Sequence, residues 1–233
     1  MTQRHFDEEL DELKTKLLRM AGLAEDQIDK ALTALITRDS TLSRQVIERD
    51  HAVNALDVEI DEDSIRLLAL HQPAARDLRL VTTAMKIATE LERISDLAEN
   101  ISERAIELNE EPQLKPYIDI PMMGKMARAM VKESIDAFVK DDATLARKVL
   151  ANDDFVDDLM EQIFRELLSF MIEDTRTITR AIRLSFIAKY LERIADHATN
   201  IAELWSISWR ARSFVILSRQ DLQPSILPSN KPH

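Results

Sequence analysis

Leu91-Glu92-Arg93-Ile94-Ser95-Asp96-Leu97-Ala98-Glu99-Asn100-Ile101 returns as Leu191-Glu192-Arg193-Ile194-Ala195-Asp196-His197-Ala198-Thr199-Asn200-Ile201, with eight of eleven positions identical. Leu91, Ile94, Ala98 and Ile101 recur with helical spacing, and so do their counterparts. Each copy also carries two acids four residues apart, Glu92/Asp96 and Glu192/Asp196. Residues i and i+4 share one face of a helix, where like charges repel by roughly 0.2–0.5 kcal/mol. The repeat therefore bears on the fold, and the acidic pair on function.

Working outward, the repeat extends over most of the chain. Apolar residues recur at Leu13, Leu17, Met20, Ala24, Ile28, Leu32 and Leu35, then at Leu42, Val46, Val53, Leu56, Ile60 and Leu67. Arg38-Asp39-Ser40 separates these two helices, with Asp39 as the N-cap. His71-Gln72-Pro73 ends the second and opens a third, which runs to about Leu108. The stretch from Asn109 to Pro116, followed by Pro121, reads as a linker. Beyond it the pattern restarts 103 residues on: Met20 matches Met123, Leu32 matches Ile135, Asp39 matches Asp142 and Asp50 matches Asp153. For the third helix the shift falls to 100, so the second copy is three residues shorter in the turn near Glu173-Asp174-Thr175. Turns absorb such deletions without disturbing packing.

The expected fold is all-α: two tandem three-helix bundles, six long helices related by internal duplication, each unit with its own core. The units fall at residues 1–110 and 117–215, joined by a linker at 111–116, with a disordered tail at 216–233. Helices of about 30 residues would be roughly 45 Å long. Ahead of the tail, Trp205, Trp209 and Phe214 lie among Arg210, Arg212 and Arg219. They read either as core aromatics at a fraying helix end or as a contact for a partner or membrane surface.

Composition agrees with this fold and narrows the function. Among 233 residues there are two glycines, Gly22 and Gly124, and no cysteine, while 45% are hydrophobic. Thiolate and disulfide chemistry are excluded, and two glycines cannot build a phosphate-binding glycine-rich loop. The net charge of −11 argues against nucleic acid as a partner and for cations or basic protein surfaces. The polar, acidic start is unlike a signal peptide, and no apolar run approaches 18 residues, so no membrane span is expected and the protein reads as cytoplasmic.

On a helical wheel with Glu92 at zero, Asp96 lies near 40° and Asn100 near 80°, while the apolar residues lie roughly between 180° and 260°. The acidic stripe thus faces outward from its own bundle, and the same holds for Glu192, Asp196 and Asn200. The preceding helices add Asp50, Asn54, Asp57 and Asp61 in the first copy, and Asp153, Asp157 and Glu161 in the second. A single Glu-x-x-x-Asp is most often a solvated face. Two copies at matching positions, each beside an acidic helix, point instead to Glu92, Asp96, Asp50, Glu192, Asp196, Asp153 and Asp157 as ligands for divalent or iron-type metal ions. Asn54 stands where the second copy has Asp157, which makes the second site the better equipped. His197 has Leu97 as its counterpart and reads as an ordinary surface histidine; His51 and His71 lack metal-ligand spacing to each other and read as incidental. A ferritin-like di-metal oxidase needs Glu-x-x-His on two helices, and only Glu48-Arg49-Asp50-His51 supplies one. No nucleophile with its base stands out, so the protein is not expected to be an enzyme.

With Asp50-His51-Ala52-Val53-Asn54 and Gln72-Pro73-Ala74-Ala75-Arg76-Asp77-Leu78-Arg79, the doubled motif resembles the PhoU family of phosphate-uptake regulators over residues 5–204. The resemblance implies a negative regulator of phosphate uptake and of the phosphate-starvation response. Its partners would be a phosphate ABC transporter and a phosphate-sensing histidine kinase, with metal clusters held at the acidic motifs of some members. From Trp205 onward the chain departs from the family's usual ending. A homodimer is expected because long amphipathic helices expose apolar flanks. The alternative reading is a helical scaffolding protein with acidic docking faces and no metal role.

Overall fold

The computed structural model describes the backbone of residues 2–220 and the side chains of residues 5–204. Its helices are α1 (Thr2–Thr37), α2 (Ser40–His71), α3 (Ala75–Asn109), α4 (Asp119–Lys140), α5 (Ala143–Glu173) and α6 (Ile178–Gln220). A single 3-10 turn, Thr175–Thr177, precedes α6, in the turn the sequence marks as shortened.

The helix boundaries follow from local chemistry repeated in both copies. Asp39 and Asp142 cap α2 and α5, each carboxylate accepting from two backbone amides at the helix start. Arg38 and Asp141, also 103 residues apart, both take positive φ, 57° and 58°, so the same left-handed corner turns the chain at both places. Pro73 lies outside α3, which starts two residues later, after Gln72 has closed α2 in a left-handed conformation. Pro121 is accommodated in the first turn of α4, where its missing N–H leaves no bond unmade.

Within each unit the three helices pack on one another; between units, α1 lies on α4 and α3 on α6. The four helices α1, α3, α4 and α6 form the middle of the molecule, with α2 and α5 outside them. The expected separate cores are therefore one: buried residues from all six helices join in a single apolar cluster. The apolar stripes on the central helices are broad enough to meet both their own unit and the other, which the periodicity alone does not distinguish. Gly124 of α4 sits where a Cβ would collide with the Leu32 side chain of α1, so a glycine sets how closely the units approach.

Polar contacts fasten the linker over this join. Arg38 Nη2 donates to the carbonyls of Leu108, Asn109 and Glu111 at 3.2, 2.9 and 2.6 Å, closing the exposed end of α3. Arg183 of α6 holds Glu111 at 2.7 Å and Glu107 at 2.9 Å, and Lys115 pairs with Glu166. The backbone of α6 runs on to Gln220, past the expected start of the tail; residues 221–233, and the side chains of Trp205, Trp209 and Phe214, lie outside the described residues.

Candidate metal centre

In the first copy, α2 and α3 run side by side and close their acidic stripes on each other. Asp50 of α2 is buried, whereas Glu92, Asp96 and Glu99 of α3 are half-buried. The outward-facing stripe expected from the wheel faces α2 rather than open solvent, because α2 covers the flank of α3 that carries it. Carboxylate oxygens of Asp50, Asp96 and Glu99 lie within 4.8 Å of one another, the only such convergence of three ligand groups among the described residues. Glu99 lies near −20° on the Glu92 wheel, within the acidic stripe, but its counterpart is Thr199, so the doubling of the motif does not single it out.

Burial raises the pKa of Glu92, Asp96 and Glu99, and neighbouring carboxylates raise it further. Asp96, Asp57 and Asp50 act on Glu92, Asp50 on Asp96, and Asp50 with Glu103 and Asp96 on Glu99. Each is a negative charge drawn partly out of water towards others of its sign. The groove consequently favours a cation, and its all-oxygen donors suit a hard or carboxylate-bridged metal ion.

Asp50 is the best-held of these acids. Ser95 Oγ donates to its Oδ1 and Asn54 Nδ2 to its Oδ2, each at 2.7 Å. Ser95 Oγ is also in hydrogen-bond contact with Gln27 of α1, which is buried, so this polar chain crosses all three helices of the unit. A hydroxyl has one proton; with Ser95 donating to Asp50, turning the Gln27 amide to present its NH2 completes the chain. Asn54 Oδ1 is buried without a partner. The position that departs from the paired-acid pattern thus holds a ligand candidate in place.

The second copy differs beneath the same acids. Ala195 and Met130 replace Ser95 and Gln27, and Asp157 replaces Asn54, removing these counterparts' donors from around Asp153. Burial, then Asp157, Asp196, Asp154 and Glu192, push Asp153 up to about 6. Asp157 is also raised, by burial and Glu192, with Lys189 acting the other way. Lys189 Nζ sits 2.5 Å from Glu192 Oε1, while Glu192 Oε2 is buried with no partner, an acceptor a cation could satisfy. The geometric order of the copies is therefore the reverse of the sequence expectation. The tighter carboxylate triad is around Asp50, and a lysine already occupies one oxygen of the second site.

The histidines are not idle. His197 is 8% exposed, its Nδ1 lies 2.7 Å from Glu90 Oε2 on α3, and Asn200 Nδ2 donates to the same oxygen at 3.0 Å. It is buried because α6 packs on α3, a contact between units that no spacing within one helix reveals. His71 Nε2 lies 2.7 Å from Glu9 Oε2 across the α1–α2 pair. His51 remains exposed.

Comparison with known proteins agrees with this architecture. The PhoU domain family matches residues 17–105 and 120–205, one match per three-helix unit. A phosphate-specific transport system accessory protein PhoU homolog from Aquifex aeolicus (strain VF5) is 47% identical over 79% of this chain and 84% of its own length. A homolog of the same name from Pseudomonas aeruginosa is 43% identical over 86% of this chain and 84% of its own. The crystal structure of PhoU from Pseudomonas aeruginosa superposes with a TM-score of 0.85 at 42% identity, over 88% of this chain and 99% of that one. That of the phosphate transport system regulatory protein PhoU from Streptococcus pneumoniae gives 0.81 at 30% identity, over 87% and 96%.

Proposed function

The chain belongs to the PhoU family, and from that premise we propose that it is a metal-binding, non-enzymatic negative regulator of phosphate uptake and the phosphate-starvation response. In this reading it acts in the cytoplasm as an adaptor, as a homodimer, between a phosphate ABC transporter and a sensor histidine kinase. Relatives named as phosphate-specific transport system accessory proteins, similar over most of their length, support the transport side of this role. Among the described residues no helix is long and apolar enough to cross a membrane, so contact with a transporter would be made from its surface.

The observation that carries the metal-binding part is the convergence of Asp50, Asp96 and Glu99, with Glu92 and Asp57 alongside. A bound cation would supply the positive charge that offsets the repulsion between these carboxylates. The chain's own contribution is to hold Asp50 from below through Ser95 and Asn54 and to keep water away from its buried side. In the second unit Asp153, Asp157, Glu192 and Asp196 would do the same once Lys189 moves aside. Metal loading would then change the charge of both grooves, giving partners two distinguishable surfaces.

Metal content separates this reading from a plain acidic scaffold. Protein purified without chelator is expected to carry metal, and Asp96→Asn/Glu99→Gln and Glu192→Ala/Asp196→Ala variants should each lose their own site's share. Equal metal in all three, or none in any, would remove the carboxylate grooves as metal sites. The regulatory role is read separately: a deletion strain should express phosphate-responsive genes in high phosphate, and unchanged expression would overturn it.

A further inference from the structure

About 30 Å along α2 from the acidic groove, by the rise per residue, a different set of groups meets. His71, the last residue of α2, places Nε2 2.7 Å from Glu9 Oε2, and His5 places Nε2 3.7 Å from the other oxygen of the same carboxylate. His5 and Glu9 are one turn apart on α1 and so share a face. The two imidazole rings lie 6.2 Å apart, centre to centre. Phe6 packs on the His71 ring at 5.1 Å, and the His71 and Glu9 side chains are only 13% and 15% exposed, so two of the three groups are fixed. His5, at 67%, is free to swing.

We propose that His5, Glu9 and His71 form a binding site for a zinc-type divalent cation, separate from the carboxylate grooves. Two imidazole nitrogens with one carboxylate suit zinc, cobalt or nickel and disfavour magnesium and calcium, which take oxygen ligands. Zn–N bonds of about 2.0–2.1 Å at a tetrahedral angle put two ring centres about 5 Å apart. The His5 and His71 rings stand about 1 Å further apart than that, and the three ligand groups do not yet converge as the Asp50 triad does, so exposed His5 would have to turn inward while His71 and Glu9 stay where they are. An adjoining cavity of about 380 Å³, lined by Phe6, His71, Gln72 and Asp77 among others, leaves room for water as a remaining ligand. The ion would staple the start of α1 to the end of α2 and its left-handed corner at Gln72. Each histidine has an unremarkable sequence neighbourhood, and 66 residues separate them, so only the α1–α2 packing makes the set visible.

Cobalt(II) absorption tests the site in the full-length protein. One equivalent of cobalt should give the strong visible bands of a four- or five-coordinate, nitrogen-ligated ion, displaced by zinc. His5→Ala, at an exposed side chain, and His71→Gln, which keeps a hydrogen-bonding group beside Glu9, should each abolish the bands and weaken zinc at least about tenfold. Asp96→Asn/Glu99→Gln should leave them intact. Absence of the bands in the unaltered protein, their persistence in either histidine variant, or their loss in the Asp96/Glu99 variant would overturn the proposal.

Discussion

Ser95 of α3 donates to Asp50 of α2 at 2.7 Å, both groups buried beneath the acidic groove. In the second unit Ala195 stands where the donor would be, and Asp153 is pushed up to about 6. The two sites thus differ in a buried donor, Ser95, and in Asp157, the acid that stands where the first has Asn54 and adds to the burial that raises Asp153, and each difference can be tested.

Removing the Ser95 hydroxyl leaves buried Asp50 with one fewer donor. Ser95→Ala should lower stability by about 1–3 kcal/mol, the usual consequence of stranding a buried polar group. Thermal unfolding should register this as a drop of several degrees; an unchanged midpoint would mean that Asn54 alone suffices to hold Asp50.

Asp153 predicts the opposite sign. Its folded-state pKa, about 6, exceeds the ordinary 3.8, so between those values the folded state binds the proton more strongly. Its contribution to stability therefore declines as pH rises through that window and is fully unfavourable above about 6. In metal-free protein Asp153→Asn should stabilise by about 1 kcal/mol above that pH, allowing for solvent screening at a partly exposed group. The advantage should fade on acidification towards the ordinary carboxylate range. Melting curves of both proteins across this range check the sign.

The two glycines should respond in opposite directions to the same substitution. Nothing lies within 4 Å of a Cβ built at Gly22, so Gly22→Ala should stabilise α1 by roughly 0.5–1 kcal/mol through helix propensity. At Gly124 the new methyl meets buried Leu32 across the α1–α4 contact, so the helical gain is offset by overpacking of about 1–3 kcal/mol. Denaturant unfolding of the two variants should move the midpoint up and down respectively.

Arg38 should matter more than a surface arginine usually does. Arg38→Asn keeps a residue type tolerant of positive φ but removes the bonds to Leu108, Asn109 and Glu111. A loss of about 1.5–3 kcal/mol is expected, since these bonds come from a charged donor. Amide exchange should accelerate first in the last turn of α3 and in the linker; exchange rising evenly over the whole chain would count against a local clasp.

Much of this protein is legible in its sequence. Helical periodicity, the shifts of 103 and 100 residues, and the capping residues Asp39 and Asp142 require information only from within one helix or one turn, and all are met in the structure. The acidic stripes are legible for the same reason, whereas Glu99, with Thr199 as its counterpart, is not marked by the repeat. Periodicity reports which face of a helix is apolar or charged. It does not report what that face meets.

That second question was decided by packing. The merging of two expected cores through α1–α4 and α3–α6, the burial of His197 against Glu90, and the covering of the α3 acids by α2 all join residues tens of positions apart. So does the meeting of His5, Glu9 and His71. By itself the sequence determined six helices, their duplication and their charged faces, because local backbone chemistry and side-chain spacing suffice for these. Only the tertiary structure decided which carboxylates converge, which histidines are buried and how the units join, because desolvation and charge proximity exist only once helices lie against one another.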